Sequence, residues 1–318
     1  MFMDLFWLVV GMILLIKGAD WFIDGASKLA KAMKIPSLVI GLTLVSLGTS
    51  MPELSVSVTA SINGLNDMSF GNIVGSNIFN TFFVIGASAI FTTLVITKSL
   101  KKYDIPCLIA IYLILILFAF VITPNMLERW ESIIIFVLTI VYTAFLIIRS
   151  KNEPQPEEDQ NEEKKPWYIN LLNVAIGLIC IIGGGTLTVD SAEVIALELG
   201  MSELLVGLTV VAVGTSLPEL VTSIVAAKKG ENDIAIGNAI GSCIFNVILI
   251  LGLSGTIRPM GIAWSSMIDV LVMLASAAII LIMTIGKKGT IDKKKGLILL
   301  LIYVVYLAVI IMRDTGVF

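Results

Sequence analysis

Two glutamates, Glu53 and Glu219, are the residues of this chain whose type and position are best suited to binding a cation. Each follows a Ser-x-Pro in an otherwise apolar stretch, GTSMPE at 48–53 and GTSLPE at 214–219. An acid within a membrane span costs about 2.5–3.5 kcal/mol even on a lenient scale, so it indicates a functional site. Lys17 is the one lysine predicted in the middle of a span, and it cannot neutralise both acids. The two carboxylates therefore predict one shared site for a positive ion.

Hydroxyl and backbone oxygens adjoin both carboxylates. The proline before each glutamate cannot donate a backbone hydrogen bond, so we expect the helix to kink and to free carbonyls one turn earlier. Freed backbone is tolerated in a membrane only where it is buried in protein or lines a cavity. Carboxylate, hydroxyl and carbonyl oxygens, without nitrogen or sulfur, are the ligands of a hard cation such as Na⁺ or Ca²⁺. The carbonyls expected to be freed are those around Ser46 and Leu47 and around Ala212 and Val213, and the hydroxyls beside them are those of Thr49, Ser50, Thr215 and Ser216.

A second repeated segment, GNIVGSNIFN at 71–80 and GNAIGSCIFN at 237–246, adds amide oxygens. Its glycines are spaced four apart, which favours close helix packing. Two glutamates carry two formal negative charges, which match one Ca²⁺, and neutral amides can complete its shell. The polar residues also recur every four positions and so share one helical face: Asn72, Ser76 and Asn80 in the first copy, and Asn238, Ser242 and Asn246 in the second.

Both segments belong to one long duplication, which covers residues 41–90 and 207–256. The two stretches align without a gap at an offset of 166, and 24 of the 50 positions are identical. Matching acids in matching repeats predict a site that two halves of a transporter fold build together.

The composition is that of a membrane protein. Charged residues make up 14% of the chain, against about 25% in soluble domains, and the mean hydropathy is +1.00. Apolar runs of about 18 residues or more predict transmembrane helices. The expected fold is an all-α polytopic membrane protein with ten transmembrane helices. We predict these spans near 5–27, 36–62, 69–92, 103–123, 131–149, 168–191, 203–228, 235–257, 264–285 and 296–312.

The basic residues predict how the spans are oriented. With the N-terminus outside, 17 lysines and arginines fall inside and 3 outside, a strong positive-inside bias. Both termini are then outside the plasma membrane, and an acidic, proline-rich linker at 150–167 is cytoplasmic. Five spans separate each motif from its copy, and an odd number inverts the second copy. The predicted units are a first five-helix repeat at 1–149 and a second, inverted five-helix repeat at 168–318.

Several function classes are disfavoured by the residues present. The chain has no histidine, and Cys107, Cys180 and Cys243 lack a CxxC spacing, so zinc and thioredoxin-like chemistry have no support. An enzyme is not expected, because no base is placed to activate Ser50 or Ser216, and no cofactor is implied. The expected partners are inorganic cations and the lipid bilayer, with no nucleic acid and no obligate protein partner. A cation channel is a less favoured alternative.

The paired G-T-S-x-P-E and G-N-x-x-G-S-x-I-x-N segments, with the ten-span layout and the acidic linker, resemble the cation/Ca²⁺ antiporter superfamily. Within it, the chain is most similar to a prokaryotic sodium/calcium exchanger. The resemblance implies secondary active exchange of Ca²⁺ for Na⁺ by alternating access, at four cation sites between the second, third, seventh and eighth spans. The metal ligands it implies are Glu53, Glu219, Thr49, Thr215, Ser50, Ser216, Asn80, Asn246, Ser76, Ser242 and the carbonyls of Ser46 and Ala212.

Asn246 departs from several relatives, which have aspartate there, including those of the K⁺-dependent branch. Asparagine removes one negative charge, so co-transport of K⁺ is not supported. The resemblance also implies that the first and sixth spans slide as a pair against the other eight. The residues themselves leave open an exchange of H⁺ for Ca²⁺ or another divalent cation, because buried glutamates can carry protons.

Overall fold

The computed structural model describes residues 2–151, 167–200, 212–285 and 289–314, and they are predominantly helical. Each long helix follows one of the apolar runs in the sequence. The helices are α1 Phe2–Met33, α2 Ser37–Thr49, α3 Met51–Asn63, α4 Asn66–Phe91, α5 Leu100–Ile122, α6 Arg129–Ser150, α7 Trp167–Glu198, α8 Ala212–Gly214, α9 Leu217–Lys228, α10 Asn232–Ile257, α11 Ser266–Met283 and α12 Lys293–Asp314.

Eight of the described helices are long and apolar enough to cross a membrane, and α2 with α3 forms a ninth span if that bent pair is one crossing. The predicted span 203–228 begins among residues outside the described ranges, and α9 is its later part. The predicted linker 150–167 also lies almost wholly outside them. The count of ten spans therefore stays a prediction.

The expectation of a purely helical fold is incomplete, because four two-residue strands pair in antiparallel fashion. They are β1 Leu94–Val95, β2 Met126–Leu127, β3 Met260–Gly261 and β4 Thr290–Ile291, and β1 pairs with β4 while β2 pairs with β3. Each pair ties a loop of the first half of the chain to a loop of the second. Strands of two residues are too short to show the alternation of apolar and polar residues that indicates a strand in a sequence.

Helices α4 and α10 lie at the centre of the molecule, and they carry the repeated glycine and asparagine segment. The most apolar windows of α4 and α10 are 83% and 94% buried, whereas the window in α12 is 17% buried. A polar residue on α4 or α10 is therefore surrounded by protein rather than lipid. Both helices contain a π-helical turn, Phe79–Val84 in α4 and Asn246–Leu251 in α10, a feature that is frequent at functional sites.

Helices α1 and α7 pack with their backbones in direct contact along glycines. A Cβ atom added at Gly177 would lie 2.6 Å from the backbone nitrogen of Phe22, and one at Gly184 would lie 2.6 Å from that of Leu15. Small residues are what allow two membrane helices to approach so closely. These two helices contain the first and sixth predicted spans, which therefore form a tightly packed pair.

The second half of α1 forms ion pairs and a hydrogen bond with the turn between α9 and α10. Lys229 Nζ lies 2.6 Å from a carboxylate oxygen of Asp20 and 2.6 Å from one of Asp24. Partial burial lowers the pKa of Lys229 and hydrogen bonds to the two aspartates raise it, with a net shift above its ordinary value. In the same region Ser27 Oγ donates to Glu231 Oε1 at 2.5 Å.

The halves contain comparable Asp–Arg pairs that differ in burial, which predicts different contributions to stability. Arg149 Nη1 donates to Asp104 Oδ1 at 2.8 Å and Tyr142 to the same oxygen at 3.1 Å, in a buried setting. The other pair, Arg313 and Asp269 at 3.0 Å, is partly exposed. Removing one partner of a buried pair costs about 3–5 kcal/mol, whereas exposed pairs contribute about 0–1 kcal/mol.

We therefore expect Asp104→Asn and Asp269→Asn both to lower the free energy of unfolding. The decrease caused by Asp104→Asn should be several times larger. Denaturant unfolding of the purified protein in detergent, followed by tryptophan fluorescence, measures both changes. Equal losses would contradict the difference in burial as their cause.

Candidate cation site

The chain breaks at the predicted proline in both copies of the motif. Helices α2 and α3 are bent by 50° at a break of one residue, Ser50, and Pro52 lies in the first turn of α3. Pro218 likewise lies in the first turn of α9, which begins after Ser216. A proline fits the first turn, where its missing N–H would have no helical partner. The predicted kink is confirmed.

The carbonyl of Ser46 is not freed by this break, so that part of the expectation is wrong. It accepts the backbone N–H of Ser50 at 3.0 Å, because Ser50 absorbs the bend while keeping a helical hydrogen bond. The hydroxyls of Thr49 and Ser242 also approach this carbonyl oxygen, at 3.3 and 3.4 Å, and Ser46 stays a predicted ligand. Its counterpart Ala212 is the first described residue after a gap, and its carbonyl also stays a prediction.

The two glutamates are held by serines of the opposite copy. Ser50 Oγ donates to Glu219 Oε1 at 3.0 Å, and Ser216 Oγ donates to Glu53 Oε1 at 2.9 Å. All four side chains are buried. Each serine donates its hydrogen to a carboxylate, and its oxygen keeps two lone pairs that can accept. The structure therefore brings these four predicted residues together at the interface between the copies.

The two threonines make a second pair of contacts between the copies. Thr49 Oγ1 donates to Asn238 Oδ1 at 3.0 Å, and Thr215 Oγ1 lies 3.4 Å from Asn72 Oδ1. Each asparagine belongs to the copy opposite to its threonine. These contacts orient the threonine hydroxyls so that their lone pairs are available to a ligand.

Asn72 and Asn238 have a positioning role in addition to the shared helical face that their spacing predicted. Asn238 Nδ2 donates to Ser223 Oγ at 2.9 Å and lies 3.2 Å from the backbone carbonyl of Glu219. Asn72 makes the equivalent contact with Ser57 Oγ at 2.9 Å. Each amide thus ties its own helix to the glutamate helix of the same copy. The available signal was the spacing of four residues before Ser76 and Ser242, which places both asparagines on the same helical faces.

Five buried oxygen atoms of the predicted ligands have no hydrogen-bond partner among the described residues. They are Oε2 of Glu53, Oε2 of Glu219, Oδ1 of Asn80, Oδ1 of Asn246 and Oγ of Ser76. Leaving a buried polar atom unpaired costs about 1–3 kcal/mol, and more where it is charged. Carboxylate, amide and hydroxyl oxygens are of the types that a hard cation takes as ligands, and in the described part of the chain no three His, Cys, Asp or Glu side chains cluster. The charge of the site therefore comes from the two glutamates.

The two remaining predicted serines occupy different surroundings. Ser242 Oγ lies 3.4 Å from the Ser46 carbonyl and 3.5 Å from Glu219 Oε1. Ser76 instead lines a cavity of about 540 Å³ together with Thr215 and Asn72. The cavity extends to Asp67, Asp269 and Arg313 at its rim. It provides room for an ion to approach Ser76 from that side.

The glycines of the two copies also differ, which corrects the expectation that both pairs serve packing. A Cβ at Gly241 would lie 2.7 Å from Ser46 Oγ, and one at Gly237 would lie 3.0 Å from Gly41 Cα. Added at Gly71 or Gly75, it would meet none of the described atoms within 4 Å, and both glycines line the cavity. Close packing thus occurs at the second pair, while the first leaves space beside Ser76.

Comparisons with known proteins agree with this geometry. A family model described as "Sodium/calcium exchanger protein" matches residues 3–148 and 169–312. The sodium/calcium exchanger MaX1 of Methanosarcina acetivorans is 31% identical over 95% of this chain and 97% of its own length. The inner membrane protein YrbG of Escherichia coli is 35% identical over 79% of each chain. The solved structure of the sodium-calcium exchanger NCX_Mj, soaked with 10 mM Na⁺ and zero Ca²⁺, superposes with a TM-score of 0.83 at 29% identity, over 96% of this chain and 98% of that one.

The family match covers both copies of the motif, and the structural match extends over nearly the whole of both chains. The sequence resemblance to an exchanger is thereby confirmed. The chain belongs to the sodium/calcium exchanger protein family and is a multipass membrane antiporter of cations, not an enzyme.

Proposed function

We propose that this protein exchanges Ca²⁺ for Na⁺ across the plasma membrane by alternating access, with Glu53 and Glu219 as ligands shared by both ions. The observation that carries the proposal is the set of four buried carboxylate and amide oxygens without partners among the described residues, one from each glutamate and one each from Asn80 and Asn246. A bound cation relieves the cost of burying them. The solved exchanger NCX_Mj, which superposes on this chain, supports Na⁺ as the coupling ion.

The proposed Ca²⁺ shell combines the two carboxylates with neutral oxygens. Ca²⁺ takes roughly 6–8 oxygen ligands. Six side chains supply oxygen ligands: the two glutamates by their carboxylates, Asn80 and Asn246 by their amides, and Thr49 and Thr215 by their hydroxyls. Additional backbone oxygen comes from Ser46 and Ala212. The proposed Na⁺ ligands, on either side of this centre, are Ser50, Ser216, Ser76 and Ser242.

The proposed architecture has ten transmembrane helices in two inverted repeats, 1–149 and 168–318, joined by a cytoplasmic linker at 150–167 with both termini outside. The reciprocal contacts support a two-fold relation between the copies. Ser50 binds Glu219 as Ser216 binds Glu53. The cavity rim at Asp67, Asp269 and Arg313 belongs to loops and ends that the basic residues predict to be outside.

Coupling follows from the cost of moving an empty site. Two carboxylates without a counter-ion in a low-dielectric interior are strongly disfavoured. Either Ca²⁺ or Na⁺ neutralises them before the protein changes conformation. An empty carrier then returns slowly, and the movement of one ion becomes tied to the opposite movement of the other. Protons on the same two glutamates are the alternative coupling ion.

Liposomes that contain the purified protein distinguish the two coupling ions. We expect ⁴⁵Ca²⁺ uptake when Na⁺ is trapped inside and absent outside, at equal pH on both sides and with the membrane potential clamped. Without Na⁺, a pH gradient alone is expected to drive no uptake above that of protein-free liposomes. If the pH gradient drives uptake and the Na⁺ gradient does not, the protein is an H⁺/Ca²⁺ exchanger and the proposal of Na⁺/Ca²⁺ exchange is wrong. Flux that needs no counter-ion would indicate a channel.

A further inference from the structure

Asn77 is a fully buried asparagine on α4, adjacent to the proposed cation ligand Ser76, and it is not among the predicted ligands. Its Nδ2 donates to the backbone carbonyl of Cys243 at 3.0 Å and lies 3.7 Å from the sulfur of Met273. Its Oδ1 accepts a hydrogen bond from Asn246 Nδ2 at 3.0 Å. It therefore links the backbone of α10 to the side chain of Asn246.

The partners of Asn77 determine which way its amide points. A backbone carbonyl and a thioether can only accept hydrogen bonds, so they must face the Asn77 NH₂ group. The Asn77 oxygen then faces Asn246, and only the Asn246 NH₂ group can satisfy it. The orientation of the Asn246 amide is thereby determined too, and its Oδ1 is the atom left without a partner among the described residues.

Asn246 lies one turn beyond Ser242, on the face of α10 that meets the second glutamate. Ser242 Oγ is 3.5 Å from Glu219 Oε1, and Asn238 Nδ2, one turn earlier, is 3.2 Å from the Glu219 carbonyl. We propose that Asn77 is a positioning residue that holds the Asn246 amide with its oxygen toward the cation and its NH₂ group away. This inference rests on the proposed function, since it names what orients one ligand of that site.

The same contact makes position 246 selective for a neutral side chain. An ionised aspartate at 246 would place a carboxylate oxygen against Asn77 Oδ1, which stands 3.0 Å from the present amide nitrogen. Two acceptors without a hydrogen between them repel each other. Asn77 could turn its NH₂ group toward such an aspartate only by placing its own oxygen against the Cys243 carbonyl. Asn77 therefore favours asparagine over ionised aspartate at this ligand position.

The other copy of the motif has no equivalent of this contact. The residue at the offset of 166 from Asn77 is Cys243, which cannot orient an amide in the same way. Accordingly, both amide atoms of Asn80 are without partners among the described residues. One amide of the proposed pair is held in a single orientation, while the other is held by none of the described side chains.

A double-mutant cycle between positions 77 and 246 tests the inference. Asn77→Leu keeps the branched shape and removes both polar atoms, so the Asn246 amide can turn its NH₂ group toward the ion. Isothermal titration of Ca²⁺ into the purified protein in detergent should give a Kd raised about fivefold to tenfold, the effect of about one hydrogen bond. In the Asn246→Asp background, both terminal atoms of the side chain at 246 are oxygens, so either of them can face the ion. In that background, Asn77→Leu should leave the Kd unchanged or lower it.

The sign of this interaction separates positioning from simple packing. A packing role would raise the Kd by a similar factor in both backgrounds, and that result would overturn the inference. Thr81→Val is the matched control, because Thr81 Oγ1 donates to the backbone carbonyl of Asn77 at 2.8 Å and lies 3.5 Å from Cys243 Sγ, so its hydrogen bond does not involve either side-chain amide. It should leave the Kd unchanged. If Asn77→Leu does not fold, Asn77→Cys, which copies the residue of the other repeat, takes its place.

The outcome also distinguishes the inference from the proposed function. A wild-type protein that binds Ca²⁺ but is driven by protons refutes Na⁺ coupling and leaves the cycle fully interpretable. A wild-type protein that binds no Ca²⁺ contradicts both.

Discussion

Glu53→Gln and Glu219→Gln are each expected to reduce Na⁺-driven ⁴⁵Ca²⁺ uptake at least about 100-fold, a loss of about 2.7 kcal/mol or more in the binding of the ion. Either change removes one of the two negative charges that match Ca²⁺. It also places an NH₂ group where a carboxylate oxygen now stands without a partner. The remaining charge of the ion would then be uncompensated in a buried site, where electrostatic interactions are screened far less than in water.

The two variants should fold, because glutamine can still accept the serine hydrogen bonds at Glu53 and Glu219. A symmetric peak in size-exclusion chromatography and an unchanged melting temperature in detergent check this. Glu193→Gln is the matched control, since Glu193 lies on α7 and takes part in none of the contacts described at the cation site, and its uptake should equal that of the wild type. Wild-type uptake by either variant would remove that glutamate from the mechanism and contradict a site shared by the two.

Gly184→Ala is expected to disrupt the α1–α7 pair. The new methyl carbon would lie 2.6 Å from the backbone nitrogen of Leu15, 2.7 Å from the carbonyl oxygen of Gly11 and 3.0 Å from Leu14 Cβ. Two of these three atoms are backbone, so no side-chain rotation can make room and the helices must separate. Overpacking destabilises a protein by about 1–3 kcal/mol where side chains can adjust. Because the contacts at Gly184 are with backbone atoms, we expect a destabilisation at or above the upper end of this range. We expect a lower melting temperature and a loss of most Na⁺-driven uptake.

The neighbouring glycine provides the control for this prediction. A Cβ added at Gly183 would meet nothing within 4 Å among the described residues, and Gly183→Ala replaces the poorer helix former by the best one. It should leave both melting temperature and uptake unchanged or slightly raised. Equal losses in Gly183→Ala and Gly184→Ala would contradict the close contact with α1 as the cause, because both changes improve helix propensity.

The polar centre of the molecule could be predicted largely from the sequence. An acid is so costly in an apolar span that Glu53 and Glu219 stand out without any structure, and the duplication predicts that they belong to one site. Prolines have a strong local effect on backbone geometry, so the break before each glutamate was predictable as well. The structure brings these acids to opposite serines, as a shared site requires.

The less successful predictions concern contacts between distant residues. The Ser46 carbonyl keeps its helical hydrogen bond because the bend is taken up by one residue, which no rule about proline specifies. Gly71 and Gly75 match Gly237 and Gly241 in sequence, yet one pair lines a cavity and the other packs against α2. Identical motifs behave differently because their neighbours differ.

The class of protein, the repeated acidic motif and the types of ligand were determined by the sequence alone, because burial cost, backbone chemistry and charge are properties of each residue with its near neighbours. The orientation of those ligands was decided only by the tertiary structure. Asn77 is directed by a carbonyl and a thioether far along the chain, and Asn246 is directed by Asn77 in turn. An amide has a donor side and an acceptor side, and which of them faces an ion depends on partners that only the folded chain brings into contact with it.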